Sequence, residues 1–81
     1  MKAIVTVMLK DGVLDPQGKA IAHALGTLGF AGVNDVRLGK RIVLDLDETD
    51  AGRARATAEE MARKLLANSV IESFRVDVPA A

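Results

Sequence analysis

In Leu14-Asp15-Pro16-Gln17-Gly18-Lys19-Ala20 the chain leaves an apolar strand pattern and starts a helix. Asp15 suits the N-cap, because its carboxylate can accept from the free amides of the first turn. Pro16 then falls at the first helical position, where its missing N–H costs nothing. Ile21, Ala24, Leu25 and Leu28 follow at i, i+3, i+4 and i+7, so the helix runs from about Pro16 to Leu28. Gln17 and Gly18 are not demanded by the cap, and Gly18 weakens the helix. Either another group approaches Gly18 closely, or it is a surface glycine without consequence. Gly29 is placed to end the helix as its C′ residue.

Upstream, Lys2 to Lys10 alternates Ala3, Val5, Val7 and Leu9 against Ile4, Thr6 and Met8, the pattern of a strand covered on both faces. The Met1-Lys2 start faintly imitates a signal peptide. Thr6 and Lys10-Asp11-Gly12 interrupt the apolar run, however, and a strand is expected instead. Downstream, a second strand is expected over about Val33 to Leu38 and a third over Arg41 to Asp47, with Val36, Leu38, Ile42, Leu44 and Leu46 inward. A three-residue loop, Gly39-Lys40-Arg41, would set Leu38 opposite Ile42 and keep apolar residues on one face, with Gly39 absorbing an awkward dihedral. Thr49 or Asp50 can cap a second helix with the stripe Ala54, Ala58, Met61, Ala62 and Leu65. Asn68 is a left-handed terminator, Val70 to Val78 the last strand, and Pro79-Ala80-Ala81 a tail.

The order is βαββαβ in a single domain over residues 1–81. The fold class is α+β: a two-layer sandwich with a four-stranded antiparallel sheet and both helices on one face. Its other face would carry Ile4, Met8, Val43 and Ile71 among Thr6, Arg37, Asp45 and Arg75. That mixture is too apolar for water and too polar for a core, and it reads as a protein–protein interface. With 81 residues and Phe30 and Phe74 as its only aromatics, the chain has a small core and no cysteine to reinforce it. A homo-oligomer, a dimer or a dimer of dimers, is therefore expected.

Eleven basic and eleven acidic residues leave a formal charge of zero, which argues against nucleic acid and anionic membrane as partners. No stretch approaches a membrane span, and a cytoplasmic location is expected. The residues offer no catalytic set. His23 stands alone in a helix and has no second metal ligand spaced to help it. Asp45, Asp47, Glu48 and Asp50 lack the alternation and glycine of a calcium loop and read as a solvated strand end and helix cap. Gly29-Phe30-Ala31-Gly32 lacks a phosphate-loop lysine, and Ser69 and Ser73 lie far from His23 in sequence. Arg37, Gly39, Lys40 and Arg41 form the strongest basic group. They can clamp an anionic ligand or a partner's carboxylates, or simply protect a sheet edge with charge.

Several segments together resemble one family. Leu14 to Ala20, Ala24-Leu25, Leu28-Gly29, Asp35-Val36-Arg37-Leu38-Gly39-Lys40 and Asn68-Ser69-Val70-Ile71-Glu72-Ser73-Phe74-Arg75 are similar to PurS, in the same order and over essentially the whole chain. Ser69 stands where that family often has proline, and Phe74 where tyrosine is common. PurS is the small subunit of phosphoribosylformylglycinamidine (FGAM) synthase in purine biosynthesis. The resemblance implies a ferredoxin-like relative that carries no catalytic residue and no cofactor. In the implied complex, a glutaminase (PurQ-like) subunit releases ammonia from glutamine. A synthetase (PurL-like) subunit uses ATP and Mg²⁺ to activate the amide oxygen of formylglycinamide ribonucleotide, and ammonia displaces the phosphate. The small subunit would bridge the two as a homo-oligomer and help enclose the ammonia path. Exchange of strands between its copies is compatible with this fold. Asp15, Pro16, Gln17, Gly18, Arg37, Gly39 and Lys40 are its expected partner contacts; Ile4, Met8, Val43 and Ile71 its expected dimer interface.

Three rivals share the order of elements. An RNA-recognition domain needs stacking aromatics on its central strands, and they are absent here. An acylphosphatase-like enzyme needs an arginine after the first strand, where this chain has Asp11-Gly12-Val13. A small-molecule-sensing regulatory domain of ferredoxin-like type is the remaining alternative.

Overall fold

A computed structural model describes residues 1–79, so residues 80 and 81 of the expected tail lie outside the described residues. At its centre runs β1 (Lys2–Leu9). Its alternation takes Ala3, Val5 and Val7 wholly out of water on one face and leaves Ile4, Thr6 and Met8 half-buried on the other. β2 (Gly39–Asp45) and β3 (Glu72–Asp77) pair with it antiparallel on either side, in the order β2-β1-β3. The register sets Ala3 opposite Leu44, Val5 opposite Ile42 and Val76, and Val7 opposite Phe74, so apolar side chains collect on the inner face.

α2 (Ala51–Met61) lies across β1 and β3 on that face. Asp50 caps it by accepting from the Arg53 amide at 3.0 Å. Ala54, Ala58 and Ala62 recur every fourth residue, are fully buried, and are small enough to let the helix backbone approach the sheet. The Arg55 guanidinium donates to the Val76 carbonyl at 2.6 Å and ties α2 to β3. Beyond Met61 the helix widens into a π-helical turn, Ala62–Leu66, closed by the Ala67 amide on the Ala62 carbonyl at 2.9 Å. The wider turn shifts the phase of the stripe. Leu65, expected inward, faces out instead and is 83% exposed, while Met61, which precedes the turn and is likewise expected inward, is 38% exposed.

α1 (Pro16–Thr27) has both expected ends. At its C-terminus Gly29 has φ 99°, the Phe30 amide bonds the Leu25 carbonyl, and the Gly29 amide bonds the Gly26 carbonyl, each at 3.0 Å. That is a Schellman ending. The helix nevertheless has no substantial contact with the sheet or with α2. It stands beyond the end of the sheet with residues 30–38 returning beside it, as an arm. The molecule measures 48 × 28 × 14 Å, with a radius of gyration of 16.0 Å. A compact chain of this length would have a radius of gyration of about 12 Å.

The α+β class holds, but among the described residues the sheet has three strands, not four, and α2 is the helix that packs on it. Val33 to Leu38 forms no ladder, because two of its amides are already committed to carboxylates. Val36 donates to Asp35 Oδ1 at 2.9 Å and Leu38 to Asp15 Oδ2 at 2.8 Å. The expected loop at Gly39-Lys40-Arg41 is likewise absent, since the chain runs straight on into β2 with Gly39 opposite Met8 and Lys40 opposite Val7. Gly39 absorbs no unusual dihedral; positive φ occurs, among the described residues, only at Gly12 and Gly29. Asn68 is not left-handed either. It forms an Asx turn, its Oδ1 accepting from Val70 at 3.0 Å, while its carbonyl accepts from Ile71 and Glu72.

Candidate subunit-contact site

The arm is joined to the sheet through Asp15, the one buried polar or charged side chain among the described residues (5% exposed). Its Oδ1 accepts from the Gly18 amide at 2.8 Å, the N-cap bond expected from sequence, and its Oδ2 accepts from the Leu38 amide at 2.8 Å. These two amides, Leu38 foremost, hold the Asp15 carboxyl below its ordinary value. Burial works against them, while the Arg37 charge and the Gln17 amide add to the lowering. One aspartate thus starts α1 and fastens the chain that returns from it.

Gly18 is buried at the same junction. A Cβ there would collide with the Val36 carbonyl oxygen and come within 2.9 Å of the Asp15 carboxylate. The close approach that a glycine invites is made, and by the chain's own backbone. Gly39 is similar: a Cβ would strike the Met8 side chain and stand 2.6 Å from the Val7 carbonyl oxygen. Arg37 also works within the chain. Its Nη1 donates to the Val13 carbonyl at 3.1 Å and its Nη2 to that of Lys10 at 3.2 Å, closing the turn after β1 onto the returning segment.

Pro16, Gln17 and Lys40 are left exposed around this junction. The Lys40 ammonium reaches Glu72 only at 4.0 Å and keeps most of its contact with water. Two shallow cavities flank Asp15, one of about 250 Å³ against Lys19, Asp35 and Arg37 and one of about 260 Å³ against Gln17, Lys40 and Glu72. The structure therefore brings all seven expected contact residues together in one place. It divides them between those that shape the junction (Asp15, Gly18, Arg37, Gly39) and those that offer a surface (Pro16, Gln17, Lys40).

On the outer sheet face, Ile4 lies opposite Val43, and Thr6 lies between Arg41 and Arg75. Ile4 and Met8 are half-buried, Val43 is 48% exposed, and Ile71 is 39% exposed just before β3. His23 is exposed on α1, and its backbone carbonyl accepts from the Thr27 hydroxyl at 3.1 Å. Among the described residues no three His, Cys, Asp or Glu side chains gather as metal ligands would. Of the acidic run, Glu48 Oε1 accepts from the Thr49 and Asp50 amides while Asp50 caps α2. Among the described residues no helix is long and apolar enough to cross a membrane. The exposed Leu65 was not legible as surface, because a π turn carries no sequence signal comparable to a cap.

The family described as "PurS: Phosphoribosylformylglycinamidine (FGAM) synthase" matches residues 2–80. The chain is 49% identical over 75 residues to the phosphoribosylformylglycinamidine synthase subunit PurS of Mycobacterium leprae, covering 93% of this chain and 91% of that one. It is 46% identical over 77 residues to the Bacillus subtilis subunit, covering 95% and 90%. Methanocaldococcus jannaschii PurS superposes with a TM-score of 0.90 at 40% identity, over 99% of this chain and 96% of that one. A chain of the Thermotoga maritima PurLQS structure superposes with a TM-score of 0.85 at 29% identity, over 94% and 93%. The chain belongs to the PurS family of phosphoribosylformylglycinamidine synthase subunits.

Proposed function

We infer that this chain is the non-catalytic bridging subunit of an ATP-dependent FGAM synthase, placed between a glutaminase and a synthetase subunit and supporting the transfer of ammonia. The observation that carries this reading is that nearly the whole chain superposes on a chain of a PurLQS structure. The residues at its own best-formed site suit the role. Asp15, Gly18 and Arg37 spend their polar and steric capacity on holding an arm in place. ATP and Mg²⁺ act at the synthetase subunit, and no cofactor is carried here. The complex is cytoplasmic. Copies of the chain associate as a dimer or a dimer of dimers, with Ile4, Met8, Val43 and Ile71 against a second copy and part of the chain exchanged. Pro16, Gln17 and Lys40 face the larger subunits, on a junction shaped by Asp15, Gly18, Arg37 and Gly39.

Reconstitution tests the reading. Glutamine-dependent FGAM formation by the synthetase and glutaminase subunits should require this chain, and ammonia-dependent formation should require it much less. Gln17→Ala with Lys40→Ala should lower the glutamine-dependent rate selectively, while His23→Ala stays within a few-fold of the parent. Full glutamine-dependent turnover without the chain would overturn the role.

A further inference from the structure

The inner face of the sheet is apolar along its register except at one end. There Lys40 of β2 lies opposite Val7, and Glu72 of β3 lies opposite Leu9. β2 and β3 flank β1, so they are two strand spacings, about 9.6 Å, apart. The two charged side chains lean toward each other over β1. Charge on the core side of a sheet costs desolvation, and such a site calls for a close partner.

Lys40 and Glu72 do not satisfy each other. Lys40 Nζ stands 4.0 Å from Glu72 Oε2, beyond hydrogen-bond length. Each is held back by another group. Glu72 Oε1 accepts from the Asn68 amide at 2.7 Å, and Lys40 Nζ leans on the Leu66 carbonyl oxygen at 3.5 Å. The Glu72 side chain is only 17% exposed, so its carboxylate is poorly hydrated as well as loosely paired. Both residues line the cavity of about 260 Å³ beside Asp15, together with Leu9, Leu38 and Gln17.

We propose that this cavity binds a free α-amino acid, with its carboxylate on Lys40 and its ammonium on Glu72. A cation and an anion held 4.0 Å apart suit a ligand that carries the opposite pair on one carbon atom. Each ligand group then meets its counterpart in a charge-assisted hydrogen bond. Ligand and site are both neutral in sum, so no net charge is carried inward. A protein partner would have to bring two side chains together to offer the same pair, whereas an α-amino acid has it built in. Leu9 and Leu38 suit an aliphatic stem, and the exposed Gln17 suits a polar, uncharged end. An acidic end would be repelled by the ionised Asp15. Glutamine has the favoured kind of side chain and serves as the probe. The proposal goes beyond the bridging role and stands without it.

The test follows the amide resonances of the full isotope-labelled chain while L-glutamine is added. Saturable shifts at Gln17, Leu38, Lys40 and Glu72 are expected, with a dissociation constant of about 1 mM. N-acetyl-L-glutamine has no ammonium and should bind weaker by about tenfold or more. Lys40→Met and Glu72→Gln should each weaken glutamine binding by a similar factor, with the rest of the spectrum unchanged. Glu72→Gln keeps an acceptor for the Asn68 amide, so it removes the charge without loosening the turn. Absence of saturable shifts, equal binding of the N-acetyl compound, or unchanged binding by the folded Glu72→Gln chain would each overturn the proposal. A chain that ignores glutamine yet is required for glutamine-dependent FGAM formation sinks this inference alone. A chain that binds glutamine but is dispensable for that reaction sinks the bridging role alone.

Discussion

α1 and α2 are helices of similar length, twelve and eleven residues, and each starts on an aspartate that accepts from the amide three residues on. α2 continues into a seam of three alanines that lies flat against a sheet. α1 continues into a single notch, Gly18, that receives one backbone carbonyl. α2 thereby joins a core in which the full burial of Val5 and Val7 is worth about 1.5–3 kcal/mol each. α1 is held by the directional bond from Leu38 and by the Arg37 clamp, and it keeps Ile21 and Leu28 outside. The comparison teaches that a cap determines where a helix begins, whereas the width of its inner stripe decides what it can lie against.

The contrast can be broken most sharply at the alanine seam. Ala58→Leu forces extra carbons between α2 and β1 and should cost about 3 kcal/mol, read as a lower midpoint in urea denaturation of the whole domain. A loss below about 0.5 kcal/mol would mean that the seam has slack.

Gly18→Leu should cost less, about 2 kcal/mol, because the collision with the Val36 carbonyl is relieved by releasing the arm alone. Hydrogen exchange should then lose protection at the Gly18 and Leu38 amides while β1 keeps it. Equal loss in both places would show that arm and sheet unfold as one unit.

The smallest effect is electrostatic. Asp15 titrates below its ordinary value in the folded chain, so its contribution is fully present above about pH 4. It is lost as pH falls through the lowered value, where a protonated carboxyl can no longer accept from both amides. In acid titration followed at the Leu38 amide, the parent should therefore release the arm before the sheet denatures. Asp15→Asn should show a weakened junction at neutral pH and no further loss in that window. Identical titrations for the two proteins would remove Asp15 from this role.

The candidate site was half legible. Asp15 and Pro16 announce a helix start in any context, whereas Gly18 reads equally as a notch or as a surface glycine, and the structure shows the notch. The notch's occupant was not legible, since Val36 lies eighteen residues downstream and reaches Gly18 only because the arm folds back. Arg37 was read as a free basic group for the same reason: its acceptors at Val13 and Lys10 are carbonyls, which every residue possesses. The alanine stripe of α2 was legible through Ala62 and failed beyond it, where one additional residue in the turn rotated Leu65 into water.

By itself the sequence determined both ends of α1, the start of α2 to within a residue, the two faces of β1 and the family of the chain. Each of these is written in residues a few positions apart, where sterics and local hydrogen bonds act without help from the rest of the molecule. Only the tertiary structure decided that Val33 to Leu38 would not become a strand. A strand exists by its neighbour, and the amides of Val36 and Leu38 had nearer carboxylates to meet. The tertiary structure likewise decided that α1 would stand away from the sheet, because whether an apolar stripe finds its cover depends on which surfaces the junction at Asp15 allows it to reach.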